Sequence, residues 1–169
     1  MNRLEDCNKD TPEFSLCNMT LKGLVVELYD ADTCKIALPV FDRFYKFTCR
    51  LNGIDTPEMK PRKDKVGRDN EIIWAKKARS ELLKLICSQA TNNILDNLDI
   101  KKEEIVKLLQ DNKPIINVKC LEFDKYGRLL VELYNINDTT FEKSFNNILV
   151  EKNMAVSYGG GTKINPWSF

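Results

Sequence analysis

Between residues 24 and 52 the chain passes through three short segments, 24–29, 33–38 and 45–52, each rich in β-branched, aromatic and aliphatic residues and set apart by polar turn formers. Runs of this length and composition predict strands, and their close succession predicts a β-meander. Strand character returns at 115–122 and 129–135, with the turn-like stretch 124–128 between them. The periodicity between the two strand groups is different. Residues 70–90 place Ile72, Ala75, Ala78, Leu82, Leu85 and Ile86 three or four apart, which makes one face of a helix.

A second helix is expected near 101–110, with Ile105, Val106, Leu108 and Leu109 on one side, Asp99 as its N-cap and Pro114 closing it. A last helix is expected over 141–152, with Asn153 in the left-handed conformation that ends helices. The Gly159, Gly160, Gly161 stretch reads as a loop, and Asn165, Pro166 and Trp167 as extended chain. Five strands with a helix after the third is the element order of an OB-type barrel. The expected fold is therefore α+β, mainly β: a five-stranded OB-fold barrel with about three packed helices plus an inserted helix.

With 169 residues and 43% hydrophobic content, one domain can bury an adequate core without covalent staples. Residues 1–20 are polar and lack a period, so they are expected to form an N-terminal arm, with the domain over 21–169. Arg3, Glu5, Asp6, Lys9, Asp10 and Glu13 stand where a leader would need apolar residues, and no long uncharged apolar run occurs. No membrane segment is expected.

The chain contains no histidine, which removes every mechanism that uses an imidazole as acid, base or metal ligand. Chemistry must run on carboxylates, lysine, arginine, tyrosine or an oxygen-held metal. The six cysteines are widely separated and form no C-x-x-C pair, so reduced thiols in an intracellular, cytoplasmic protein are expected. A Cys34–Cys49 bridge would require an oxidising compartment. Net charge is +1, yet residues 60–79 hold eight Lys or Arg against three acids, so positive charge is concentrated in one segment, expected to be a loop at its start.

Three short motifs carry chemistry only in combination. Asp30-Ala31-Asp32-Thr33 joins two strands and, alone, reads equally well as a hairpin turn. Arg50-Leu51-Asn52-Gly53-Ile54-Asp55-Thr56-Pro57-Glu58 ends a strand and could be a helix or turn start. Its Arg50 is harder to dismiss, because an arginine in a core strand must reach solvent, a carboxylate or a phosphate. Asp124-Lys125-Tyr126-Gly127-Arg128 sits between two strands and would also serve as a glycine-bearing turn.

Taken in order, these motifs resemble the staphylococcal-nuclease family, whose pattern runs D-G-D-T, then R-x-x-x-x-D-T-P-E, then D-K-Y-G-R. The resemblance spans about residues 24–158, and the second and third motifs match at every specified position. It implies an OB-type barrel, a Ca²⁺ cofactor, and DNA or RNA as the partner, without a membrane. By the same resemblance, Asp32 and Asp55 supply carboxylates to calcium and Thr56 its backbone carbonyl. Such a set suits a hard ion that prefers oxygen and accepts water elsewhere. Glu58 matches the family's candidate general base, for which a water-positioning or electrostatic role is the alternative. Arg50 and Arg128 match the pair that grips the scissile phosphate. Lys125 and Tyr126 match positions that contact a neighbouring phosphate, and Tyr158 lies near the base-stacking position.

The chain departs from that pattern in three respects. Ala31 replaces a glycine, about twenty-five residues over 88–114 are inserted, and the net charge is nearly neutral, which leaves nucleic-acid affinity to rest mainly on the 60–79 segment. The expected function is calcium-dependent hydrolysis of phosphodiester bonds by water, leaving 3′-phosphate ends. The alternative is a non-catalytic module that binds single strands or a protein. A monomer is expected, with the oligomeric state left open by the sequence.

Overall fold

The computed structural model describes residues 3–88, 93–162 and 165–167. Its centre is a closed barrel made of β1 (Thr20–Leu28), β2 (Thr33–Val40), β3 (Arg43–Leu51), β5 (Ile115–Phe123) and β6 (Leu129–Tyr134), in the order β1-β2-β3-β6-β5. All neighbours are antiparallel except β3 and β6, which run parallel. A two-residue ladder, β4 (Ile54–Asp55) with β7 (Val156–Ser157), lies beside the barrel. Helices α1 (Arg68–Ile86), α2 (Lys102–Asn112) and α3 (Phe145–Glu151) complete an α+β fold of the OB type, with short 3₁₀ turns at Leu4–Asp6 and Asn93–Asp96. No helix among the described residues is long and apolar enough to cross a membrane.

Alternation along β2 gives the barrel its interior: Cys34, Ile36, Leu38 and Val40 are buried and the residues between them are half-buried. Gly23 makes the tight centre possible. A Cβ there would stand 2.6 Å from Ile36 Cγ2 and 2.7 Å from Leu38 Cδ2, closer than packed atoms come. Helix α1 closes one side with Ala75, Ala78, Leu82 and Ile86, four of the six positions that the periodicity predicts, while Ile72 and Leu85 are half-buried. All six cysteines are free, including Cys34 and Cys49, which face each other across β2 and β3.

Several boundaries differ from expectation. The N-cap of α2 is Lys101 rather than Asp99; the Glu104 carboxylate turns back to accept from Lys101 N at 2.9 Å, while Asp99 pairs with Lys76. The start of α3 moves from 141 to 145, because Asp138 Oδ1 accepts from Thr140 N and Phe141 N (both 3.0 Å) and Phe141 takes a φ of 54°. Ser144 then caps the helix by accepting from Asn147 N at 3.1 Å, and Asn153 ends it with a φ of 58°. Residues 165–167 form a turn, not an extended strand, since Asn165 Oδ1 accepts from Trp167 N at 3.2 Å. Helix α1 begins at Arg68, after Gly67 with a φ of 71°, and ends at Ile86; the expected end at 90 lies outside the described residues.

Two devices hold the end of the barrel that carries the motifs. Asn146, 2% exposed on α3, donates to Asn52 O (2.9 Å) and Val131 O (3.0 Å) and accepts from Leu133 N (3.2 Å). Helix α3 is thereby bonded to the exit of β3 and to β6. The β4–β7 ladder pairs Asp55 with Val156, and Tyr158 N donates to Gly53 O at 2.8 Å, so the chain after α3 is fixed against the second motif.

Candidate active site

One open cleft of about 540 Å³ collects all nine residues singled out in the sequence: Asp32, Arg50, Asp55, Thr56, Glu58, Lys125, Tyr126, Arg128 and Tyr158. Strand register explains the convergence. Asp32 ends the β1–β2 turn, and the Asp32 carbonyl accepts from Leu51 N at 2.8 Å, one residue past Arg50. Across the parallel seam Arg50 pairs with Leu130, so Arg128 enters the cleft from the turn before β6. Tyr158 arrives with the β4–β7 ladder.

At the cleft floor the Arg50 guanidinium contacts the Asp32 carboxylate through Nη1, while Nη2 donates to Ile54 O at 3.2 Å and reaches Asp55 Oδ1 at 3.5 Å. Burial works to lower the Arg50 pKa, but Asp32, then Asp55 and Asp30, outweigh it and leave it raised, so the guanidinium stays charged. Asp30, half-buried in the same turn, has its carboxyl pushed up to about 7, first by burial and then by the charge of Asp32. Asp32 and Asp55 thus share one guanidinium, which leaves negative charge uncompensated at the floor.

That surplus and its all-oxygen chemistry fit a hard divalent cation. Among the described residues no three His, Cys, Asp or Glu side chains form a ready-made cage, so a cation here would complete its shell with the Thr56 carbonyl and water. Asp32, Asp55 and Thr56 are each buried, at 7%, 5% and 5% exposed, which keeps these donors in place.

The third motif is a self-built turn. Asp124 Oδ1 accepts from Tyr126 N and Arg128 N (both 2.9 Å), Asp124 Oδ2 accepts from Arg128 Nε at 2.7 Å, and Gly127 supplies a φ of 77°. Burial works to raise the Asp124 pKa, but these donors, led by the Arg128 N–H, leave it lowered. Arg128 also lies over the Tyr126 ring, 5.4 Å from its centroid, with Lys125 on the same ring at 5.1 Å. A guanidinium held at one edge by a carboxylate keeps its other N–H groups for the cleft.

Glu58 is exposed, and its position is set through the backbone: Glu58 N donates to Glu71 Oε1 at 3.2 Å. Glu71 is 1% exposed on α1 and also takes Asn165 Nδ2 at 3.0 Å and Lys65 Nζ at 2.6 Å. Sequence reasoning missed Glu71, although a glutamate at the head of the apolar stripe 71, 75, 78, 82 was a readable signal. It also left Asp30 and Asp124 without roles, although each is an acid of a quoted motif. Of the eight cationic residues in 60–79, only Lys60 lines the cleft. Lys65 and Arg68 brace the loop, Arg68 Nε donating to Pro61 O at 3.3 Å, while Lys76 and Arg79 engage the insertion. Ala31 is buried with no positive φ, so this turn does not require the family's glycine.

The family model described as staphylococcal nuclease homologue matches residues 48–165, which takes in the end of β3, the second and third motifs and the ladder that delivers Tyr158, and leaves the first motif outside. Among curated proteins, human Mediator of RNA polymerase II transcription subunit 13 is 25% identical over 119 residues, covering 66% of this chain and 5% of that protein's length. With the barrel topology and most of the chain inside the family match, the chain belongs to the staphylococcal nuclease homologue family.

Proposed function

We propose that this protein is a calcium-dependent nuclease that hydrolyses phosphodiester bonds of DNA or RNA by attack of water and leaves 3′-phosphate ends. The observation that carries the reading is the convergence of two guanidiniums, an exposed glutamate and two buried aspartates on one cleft. In this reading Arg50 and Arg128 bind the non-bridging oxygens of the scissile phosphate and neutralise the charge that grows as a fifth oxygen approaches phosphorus. Glu58, held at its backbone by Glu71 with its carboxylate in solvent, orients the attacking water and takes its proton. Asp32, Asp55 and the Thr56 carbonyl would hold Ca²⁺, which would supply Lewis-acid polarisation of the phosphoryl oxygen and a more nucleophilic water. Lys125 and Tyr126 hold an adjacent phosphate, and Tyr158 stacks on a base.

A second reading, a non-catalytic module that binds single strands or a protein, draws on the similarity to a transcription subunit. Cleavage of labelled single-stranded DNA, duplex DNA and RNA with Ca²⁺, with EGTA and with Mg²⁺ separates the two. The proposal requires Ca²⁺-dependent cleavage that falls by roughly 10²-fold or more in Glu58→Ala. A folded wild type that binds nucleic acid yet cleaves none of the three would establish the second reading.

A further inference from the structure

Beside the cleft, on the outer face of β1 and β2, lies a second groove of about 190 Å³ that shares Tyr29 and Thr33 with the first. At its centre Glu27 is ringed by three ammonium groups: Lys46 at 3.2 Å, Lys35 at 3.3 Å and Lys102 at 3.9 Å. Lys35 and Lys102 line the groove, whereas Lys46 reaches Glu27 from β3. The lysine side chains are 39%, 55% and 67% exposed for Lys35, Lys46 and Lys102, against 25% for Glu27. One carboxylate cannot balance three ammoniums, so two positive charges remain and repel one another.

The origin of these lysines sharpens the point. Lys35 and Lys46 come from the barrel, but Lys102 is the first residue of α2, in the insertion. A cation there sits at the positive end of the helix dipole, an unfavourable place unless an anion offsets it. Glu104, with its carboxylate turned back onto Lys101 N, offsets the helix end itself, which leaves Glu27 as the anion that faces the Lys102 ammonium. Tyr29, 51% exposed on the wall common to both cavities, offers an aromatic face between the two.

Resting on the nuclease reading of the cleft, we propose that this groove is a subsite for a single-stranded polynucleotide. The strand that leaves the cleft crosses Tyr29 and lays a backbone phosphate against Lys35, Lys46 and Lys102. Lysines are compact charges that contact phosphate without reading sequence, so the groove extends the grip on a polymer and adds no base preference. The insertion contributes directly to this grip, because it brings Lys102 to the strand's path.

The test measures binding in EGTA, so that cleavage plays no part. Labelled oligothymidylate and oligouridylate, long enough to span both cavities, are titrated at several salt concentrations against wild type, Lys46→Gln/Lys102→Gln and Glu27→Gln. The double variant should bind both polymers about five- to tenfold more weakly, with a slope of log K on log salt shallower by about 1.4, from roughly 0.7 per lost contact. Glu27→Gln, which removes the only negative charge at the centre, should shift affinity the other way. Cleavage of a dinucleotide in Ca²⁺, too short to reach the groove, should be unchanged in both variants. Equal affinity and slope in all three proteins would overturn the subsite even if the wild type cuts DNA, and so would an effect confined to one polymer. A shallower slope in a protein that cleaves nothing would uphold the subsite and remove the nuclease reading alone.

Discussion

The cleft and the face of α1 that receives the insertion are both built from Lys, Arg and Asp, yet they treat charge in opposite ways. On α1 the two lysines are matched, Lys76 with Asp99 and Lys84 with Asp96, while the buried Arg79 donates to Ile100 O at 3.0 Å and Ser80 donates to Leu95 O. In the cleft Asp32 and Asp55 share Arg50, and Arg128 has a single carboxylate partner at one edge. Matched charges fasten one segment to another. Unmatched charges at the cleft floor are costly in the resting molecule and become favourable only when something of opposite sign arrives.

The sharpest way to break this comparison is Arg128→Ala. On the nuclease reading it removes half of the proposed phosphate grip, while costing little stability, since the side chain is 30% exposed and its ion pair is local. We expect kcat/KM for single-stranded DNA to fall by roughly 10²- to 10³-fold with the melting temperature nearly unchanged. A protein that melts much earlier would put Arg128 in the fastening class.

Arg79→Met should give the reverse profile. It deletes the donor to Ile100 O from a site only 8% exposed, so urea denaturation should show a loss of about 1–3 kcal/mol. Unchanged stability would mean that the insertion is held by Lys76, Lys84 and Ser80 without it.

Glu71→Gln probes the place where the two classes meet and has the smallest expected effect. Burial raises the Glu71 pKa, but Lys65, Glu58 N and Asn165 outweigh burial and leave it below the ordinary 4.5. A carboxylate depressed on folding contributes stability above its unfolded pKa and loses it as pH falls through the folded value. Wild type should therefore lose stability on acidification below about pH 4.5 more steeply than Glu71→Gln in thermal melts across that range. Parallel curves would show that Glu71 holds Glu58 by shape alone.

Most of the barrel was legible because its signals are local. Alternation along 33–40 and the stripe on α1 depend only on residues close in sequence, and the three motifs carried eight of the nine cleft residues with them, Tyr158 alone lying outside them. What escaped depends on partners far along the chain. Asp99 is a reasonable cap by its spacing, but Lys76 on another helix claims it. Glu71 looks like one more charge on a helix until Lys65, Asn165 and the Glu58 amide meet it. The basic segment promised a nucleic-acid surface, but Lys65 and Lys76 pair with Glu71 and Asp99, Arg79 is buried against Ile100 O, and the cleft draws its cations mainly from elsewhere.

The parallel seam between β3 and β6 is the shortest pairing in the barrel, with three register pairs against eight between β2 and β3. It is also the line from which Arg50 and Arg128 reach into the cleft. Short pairings are where a fold opens first. On the nuclease reading, warming that frees Asn146 from Asn52 O and Val131 O would part the arginines while the meander of β1 to β3 still holds, so that loss of activity would precede melting and reverse on cooling. The temperature range of that activity would then be set by those few residues and not by the strength of the core.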